Sequence, residues 1–320
     1  MTLASRIEAV LADVTGGPVQ VTGLEPLTGG SSREIWQFSA SSDGQGDRKL
    51  VLRMDHPDEP RPAGIGLEAA MMAVAAAAGI PVPEVVVVVD DESSLGAPAL
   101  IMEKVDGLTA PRRILAACAE TGTGPHLARQ CGEALGRLHE VPLTAFPDGL
   151  PRARRLETYR AALDRIDPDR PVLELAYRYL TDTQPAGRDP VVVHGDFRLG
   201  NLVTGDAGLR AVLDWESGHV SDALEDLGWI AVKAWRFGGA GVIGGFGDVG
   251  SFLAGYADQT GWVPSGDEFG WALILNTWIW AVGCLEQAER HLSGRVRSVD
   301  LAVVGRRVVQ IERDLLELLP

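Results

Sequence analysis

The sequence predicts an α+β protein of two lobes: a small antiparallel-sheet lobe with one helix over residues 1–105, and a larger, mainly helical lobe over 106–320. Three observations predict it. A length of 320 residues exceeds what one hydrophobic core normally serves. From Val19 to about Val105, short apolar and β-branched runs are separated by Gly, Pro and Asp turns. From Asp106 onward the apolar residues recur at spacings of three and four, the period of a helix face.

Taken in order, Met1 to Val14 carries Arg6, Glu8 and Asp13 and so offers no uninterrupted apolar core for a secretory leader. Strands are expected at Leu24–Leu27, Ile35–Ser39 and Lys49–Met54, each bounded by turn residues. A helix over Leu67–Ala78 is Ala- and Met-rich, has Glu68 in its first turn, and stops at Gly79 with Pro81 and Pro83 beyond. Val85–Val89 is short, unbroken and β-branched, as suits a strand covered on both faces. After the turn Glu92–Pro98, Ala99–Glu103 forms the last strand, and Gly107 marks the crossing into the second lobe.

In that lobe, His126–Glu140 places Leu127, Cys131, Leu135 and Leu138 on one helical face. Asp189–Asn201 and Leu209–Trp215 read as strand-and-loop segments. Trp271–Leu285, the longest apolar stretch, is interrupted by Asn276, is short for a bilayer span, and reads as a buried helix. Gly238–Gly250 reads as a flexible loop. The formal charge of −15 argues against nucleic acid or an anionic membrane as partner, since both are normally met with a basic excess. Cys118, Cys131 and Cys284 lack the paired spacing of a zinc or redox motif, which implies a reduced, cytoplasmic setting without disulfide or structural metal. No feature fixes an oligomeric state.

The chemistry concentrates in Val191-Val192-Val193-His194-Gly195-Asp196, an apolar strand that delivers a carboxylate into a loop. Asn201 follows five residues after Asp196, and Asp214 closes the next strand, Ala211-Val212-Leu213. Protein kinases use this pattern: one Asp orients the attacking hydroxyl, while an Asn five positions on and an Asp on the next hairpin bind metal. Phosphoryl transfer has a loose transition state, so the protein mainly positions the reactants and neutralises charge. Asn201 and Asp214 offer the oxygen ligands magnesium prefers, Asp196 is left to accept the hydroxyl proton, and Arg198 is placed to stabilise phosphoryl charge. Taken singly, His-Gly-Asp, a loop Asn or a strand-end Asp is ordinary turn and cap chemistry. Their joint spacing is what argues for a site.

These residues, with Leu213-Asp214-Trp215-Glu216, resemble the signature of the aminoglycoside phosphotransferase and choline kinase-like enzymes. The similarity continues through Ser221-Asp222-Ala223 and Glu225-Asp226-Leu227, although Ser221 and Ala223 stand where those enzymes often have Gly and Pro. The resemblance implies a bilobal protein-kinase-like fold. It also implies an ATP-dependent phosphotransferase acting on a hydroxyl of a small molecule, with Asp196 as base, Asn201 and Asp214 on magnesium, and Asp226 as a brace for the loop.

It further implies that the first lobe holds the nucleotide. Gly29, Gly30, Ser31 and Ser32 form a turn where a phosphate-covering loop belongs, without the pattern of a Walker-type site. Arg53 falls at the position of the strand lysine that grips phosphate, with Glu68 as its helix partner; many related enzymes have Lys there, and an arginine grips phosphate with a different, bidentate geometry. The backbones of Glu103 and Val105 lie where the hinge meets adenine. ATP is the expected donor, with GTP the alternative.

The acceptor is an amino sugar, an amino alcohol or, from a tail that resembles the branch associated with acyl-CoA dehydrogenases, a hydroxyacyl-CoA. Trp229, Trp235 and Arg236 are the candidate substrate contacts, and the arginines after Arg290 read mainly as salt-bridged helix surface. The competing reading is a catalytically impaired nucleotide-binding scaffold of the same fold. A hydrolase lacks a nucleophile elbow here, and a protein kinase lacks the activation segment.

Overall fold

A computed structural model describes residues 1–27, 33–42, 45–55, 64–166 and 169–320. The chain divides into two compact units. The first comprises Met1–Leu108, Thr144–Leu150 and Leu202–Gly218; the second comprises Thr109–Leu143, Pro151–Asn201 and His219–Pro320.

The first unit opens with helix α1 (Leu3–Thr15), capped by the Thr2 hydroxyl and ended by Gly16 in the left-handed conformation. Strands β1 (Val19–Pro26), β2 (Arg33–Ser42) and β3 (Gln45–Asp55) follow, then helix α2 (Ile65–Ala77), β4 (Val85–Val89), the one-turn helix α3 (Glu92–Leu95) and β5 (Ala99–Glu103). The strands form one antiparallel sheet in the order β1-β2-β3-β5-β4. Alternation along the strands gives the sheet two apolar faces. Leu50, Leu52, Ala99 and Ile101 pack with Ile7 and Leu11 of α1, whereas Arg53 on the opposite face of β3 reaches Glu68 of α2.

The described part of this region therefore holds three helices where the sequence reading expects one. Of the charges in α1, Arg6 donates to the Leu95 carbonyl at 3.2 Å, Glu8 accepts the Val21 N–H at 3.0 Å and Asp13 is exposed, while Ile7, fully buried, lies on its inner face. Asp91 caps α3 by accepting the Ser93 N–H at 2.8 Å, which turns the expected Glu92–Pro98 turn into a helical turn.

In the second unit lie α4 (Pro111–Thr121), α5 (Gly124–His139), α6 (Arg155–Ile166), α7 (Pro171–Asp182) and strand β6 (Val191–Val193). The hairpin β7 (Leu202–Gly205) and β8 (Gly208–Val212) returns to the first unit. Two main-chain bonds join it to Leu108, and the Val212 N–H donates to the Pro81 carbonyl at 2.8 Å. Hence the first unit extends past Val105 and takes in residues 202–218. A Cβ on Gly107 would lie 2.5 Å from the Thr204 carbonyl oxygen, so this crossing is built on close backbone approach.

Strand β9 (His219–Ser221) pairs antiparallel with β6, followed by α8 (Leu224–Trp229), α9 (Val249–Thr260), α10 (Gly266–Leu292), α11 (Val299–Gly305) and α12 (Val308–Leu318). Helix α10 starts in a Ser265/Glu268 capping box. It is long and apolar enough to cross a membrane by length and composition, and 72% of its most apolar window is buried within the protein. Its Trp271 and Trp278 indoles donate to the Leu180 and Leu173 carbonyls of α7.

Helices α5 and α9 meet through glycines: a Cβ on Gly132 would lie 2.0 Å from the Phe252 carbonyl oxygen, and one on Gly255 2.0 Å from that of Arg129. The Gly238–Gly250 segment, read from the sequence as a flexible loop, carries bridges Gly241–Gly245 and Ile243–Gly247. Toward the C-terminus Arg295 pairs with Glu289 and Arg313 with Glu317, while Glu312 and Asp314 of α12 take Arg170 and Lys233.

Candidate active site

The first unit gathers a buried ionic cluster. Arg53 on β3 gives Nη1 to Glu68 Oε1 on α2 and Nη2 to Asp214 Oδ1 at 2.7 Å, with Glu216 at 3.5 Å. Arg33, at the start of β2, gives Nε to Asp55 Oδ1 at 2.7 Å and Nη1 to Glu68 Oε2. Each oxygen of Glu68 thus takes one guanidinium. Burial weighs against a charged Arg53, but Glu68, Asp214 and Glu216 outweigh it and hold its pKa above the ordinary arginine value.

Asp214 sits in the left-handed region, φ 67° and ψ 65°, a conformation an Asp adopts more readily than most residues. The turn is pinned by Trp215, fully buried, whose indole donates to the Val212 carbonyl at 3.0 Å. Arg33 was not among the residues picked from the sequence; its signal is the register that sets it opposite Asp55. Gly29, Gly30, Ser31 and Ser32 lie outside the described residues. The Glu103 N–H donates to the Glu84 carbonyl at 2.8 Å and its side chain pairs with Arg48. Val105 follows the end of β5.

The second unit holds the carboxylate loop. Strand β6 delivers His194, fully buried, and Gly195 at φ 78°, where a side chain would be strained. The Asp226 carboxylate, itself fully buried, accepts the main-chain N–H of His194 at 2.7 Å and of Gly195 at 2.9 Å. His139 Nε2 lies 3.3 Å from Asp226 Oδ2, and its Nδ1 lies 2.9 Å from the Tyr256 hydroxyl. Burial would raise the Asp226 pKa, yet His139, His194 and the Gly195 N–H bring it below the usual carboxylate value.

Asp196 emerges from this brace partly exposed. Its Oδ1 accepts the Trp229 indole N–H at 2.8 Å; Arg198 Nε lies 3.0 Å from both oxygens; and Asn201 Nδ2 donates to Oδ2 at 2.8 Å and to the Asp196 carbonyl at 2.9 Å. Both of these bonds are made by the NH2 end of the Asn201 amide. Arg198, expected to face a phosphoryl group, pairs with Asp196 and stacks on Trp235 at 4.8 Å.

Arg155 was not anticipated. It donates to the Gly195 carbonyl at 3.1 Å and pairs with Glu225 at 2.9 Å, which also contacts His219 on β9. Of the anticipated substrate contacts, Trp229 binds Asp196, Trp235 packs between Trp229 and Trp280, and Arg236 donates to the Ala231 carbonyl. Among the described residues no cluster of three or more His, Cys, Asp or Glu suits a metal ion. Asn201 in the second unit and Asp214 in the first each carry a side-chain oxygen of the kind magnesium prefers.

A family model described as the phosphotransferase enzyme family matches residues 23–272. Acyl-CoA dehydrogenase family member 10 of Mus musculus is 30% identical over 216 residues, 63% of this chain and 20% of that protein. Acyl-CoA dehydrogenase family member 11 of Gallus gallus is 30% identical over 165 residues, 48% and 21% respectively. The chain thus matches about a fifth of the length of these relatives.

Among solved structures, a protein from Ralstonia eutropha JMP134 assigned to the aminoglycoside phosphotransferases superposes with TM-score 0.71 at 21% identity, covering 98% of this chain and 97% of that one. Aminoglycoside 2′-phosphotransferase-IIIa (F108L), a GDP complex, gives 0.67 at 16% identity, covering 97% and 96%. A thermostable aminoglycoside phosphotransferase APH(4)-Ia, in ternary complex with AMP-PNP and hygromycin B, gives 0.61 at 18%, covering 96% and 98%. These likenesses show the protein-kinase-like fold.

Proposed function

The chain belongs to the phosphotransferase enzyme family, and from that premise we propose that it transfers the γ-phosphate of ATP to a hydroxyl of a small molecule. One observation carries the reading: Asn201 holds Asp196 by both carboxylate and carbonyl, so the loop presents a proton acceptor and an amide oxygen as one unit. Asp196 accepts the acceptor's hydroxyl proton while the oxygen forms its bond to the γ-phosphorus. The bond from that phosphorus to the β–γ bridging oxygen breaks, and ADP leaves with the electron pair. Asn201 and Asp214 are the residues that would hold magnesium, which when bound neutralises phosphate charge.

Arg53, fixed by Glu68, grips the phosphates, and the Glu103 carbonyl and Val105 N–H meet the base. The nucleotide complexes of the two kinases above support a nucleotide donor, one with a guanine and one with an adenine base. The acceptor is an amino sugar, an amino alcohol or a hydroxyacyl-CoA. The first is supported by the hygromycin B complex of one neighbour and the last by the names of the curated relatives. A reduced, cytoplasmic setting fits the three free thiols.

A second reading has its own observation. The 2.7 Å pair of Arg53 with Asp214 commits the phosphate-gripping cation and a metal ligand to each other, which suits a nucleotide-binding scaffold without transfer. The deciding experiment is phosphate transfer from ATP or GTP with magnesium across the three acceptor classes. Transfer that disappears in Asp196→Ala supports the enzyme; nucleotide binding with no transfer to any acceptor supports the scaffold.

A further inference from the structure

We propose that Trp229 is a positioning residue for Asp196, and that helix α8 acts as the template on which the carboxylate loop is set; the proposal rests on the reading of Asp196 as base. Three donors reach the Asp196 carboxylate: Arg198 Nε, Asn201 Nδ2 and Trp229 Nε1. Arg198 and Asn201 belong to the same short loop as Asp196 and move with it. Among the described residues that donate to this carboxylate, Trp229 comes from a separate element.

Three residues of the six-residue α8 hold the loop at different points. Asp226 takes the N–H groups of His194 and Gly195. Glu225 holds Arg155, which donates to the Gly195 carbonyl. Trp229, one turn beyond Asp226 and so on the same helix face, takes Oδ1 of Asp196 at 2.8 Å. Main-chain atoms before the base and the base itself are thereby referred to one rigid segment.

The indole is held in turn. Trp229 is 7% exposed, packs against Trp235 at 5.4 Å and edge-on to Trp280 at 6.5 Å, and the Arg155 guanidinium lies 5.8 Å from its ring. A tryptophan gripped on its ring and donating its N–H to a carboxylate fixes that carboxylate's rotation about the side-chain bond. Small errors in the direction of a base cost catalysis rather than ground-state binding.

The test has two readouts. Trp229→Phe keeps a ring and removes the N–H. It is expected to lower kcat for transfer to the best acceptor by about ten- to a hundredfold while the nucleotide KM stays within about twofold. In protein labelled with nitrogen-15 at the tryptophan indoles, the Trp229 resonance is the one lost in Trp229→Phe. It is expected to lie at low field, as befits a bond to a carboxylate, and to move upfield in Asp196→Ala, with the other indoles unmoved.

An indole shift indifferent to Asp196→Ala, or a folded Trp229→Phe with unchanged kcat, overturns the proposal and leaves the kinase reading standing. A wild type that transfers phosphate to no acceptor and not to water overturns the kinase reading, and the proposal with it, whatever the indole shows.

Discussion

The Asp226 carboxylate accepts the main-chain N–H of His194 at 2.7 Å across 32 positions of sequence, and takes the N–H of Gly195 with its other oxygen. A fully buried carboxylate so placed converts a three-residue strand and a flexible glycine into a fixed launching point for Asp196.

Asp226→Asn would lose the charge in that bonding and put an amide donor against a main-chain N–H. It is expected to destabilise the protein by about 3 kcal/mol at neutral pH, measured by urea unfolding. The Asp226 pKa is lowered in the folded state, as is that of Glu225 beside Arg155 and His219. Their contribution is therefore complete above the unfolded carboxylate value of about 4 and is lost as pH falls through the folded values. The gap in stability between wild type and Asp226→Asn is expected to narrow on acidification below about pH 4.

Asp196→Ala is expected to abolish transfer by a factor of about a thousand or more, with the nucleotide dissociation constant changed less than about threefold, as measured by equilibrium titration. The residue is partly exposed and held mainly by its own loop and Trp229, so the melting temperature should move by only a few degrees, about 1 kcal/mol in stability. A variant that transfers as well as wild type would dismiss Asp196 as the base.

Arg53→Lys tests whether the guanidinium is a grip or a block. A lysine is a point charge and cannot span Glu68 and Asp214 together as Arg53 does. With Arg53 as grip, kcat/KM for the nucleotide is expected to fall about tenfold. A gain in transfer would instead show that the Arg53–Asp214 pair restrains the site. Arg53→Met, which removes one of the two guanidinium partners of buried Glu68 and leaves Arg33 as the other, is expected to cost about 3 kcal/mol in denaturant unfolding.

Gly132→Ala introduces a methyl 2.0 Å from the Phe252 carbonyl oxygen, a main-chain atom that yields only if α5 and α9 separate. Despite the better helix propensity of alanine, the variant is expected to lose about 2–3 kcal/mol, read as a lower thermal midpoint. Gly283→Ala in α10 is the control: its nearest neighbour is the Tyr159 ring at 3.9 Å, and the same change there should be neutral or slightly stabilising.

Local pattern made much of this protein legible. The β-branched runs gave the positions of β4 and β5 to the residue, because strand length and turn chemistry are written in neighbouring residues. Helix α1 is harder to read, because its charges also argue against a leader; in the fold Arg6 and Glu8 bond to Leu95 and Val21 beside an apolar face of Ile7, Val10 and Leu11. The spacing from Asp196 to Asn201 was legible for a physical reason too: a side-chain amide five positions on closes the loop onto the carboxylate that opens it.

The sequence by itself determined the strand–loop–hairpin order, the Asp196/Asn201 pair, the Arg53–Glu68 pairing and the family. Only the tertiary structure decided that Glu68 is shared with Arg33, that Arg155 supports Gly195, and that Trp229 serves the carboxylate rather than standing free as a substrate contact. The partners in these contacts are 35, 40 and 33 positions apart. Arginine and tryptophan side chains find such partners through packing and rotamer choice, and neither leaves a period or a spacing in the chain.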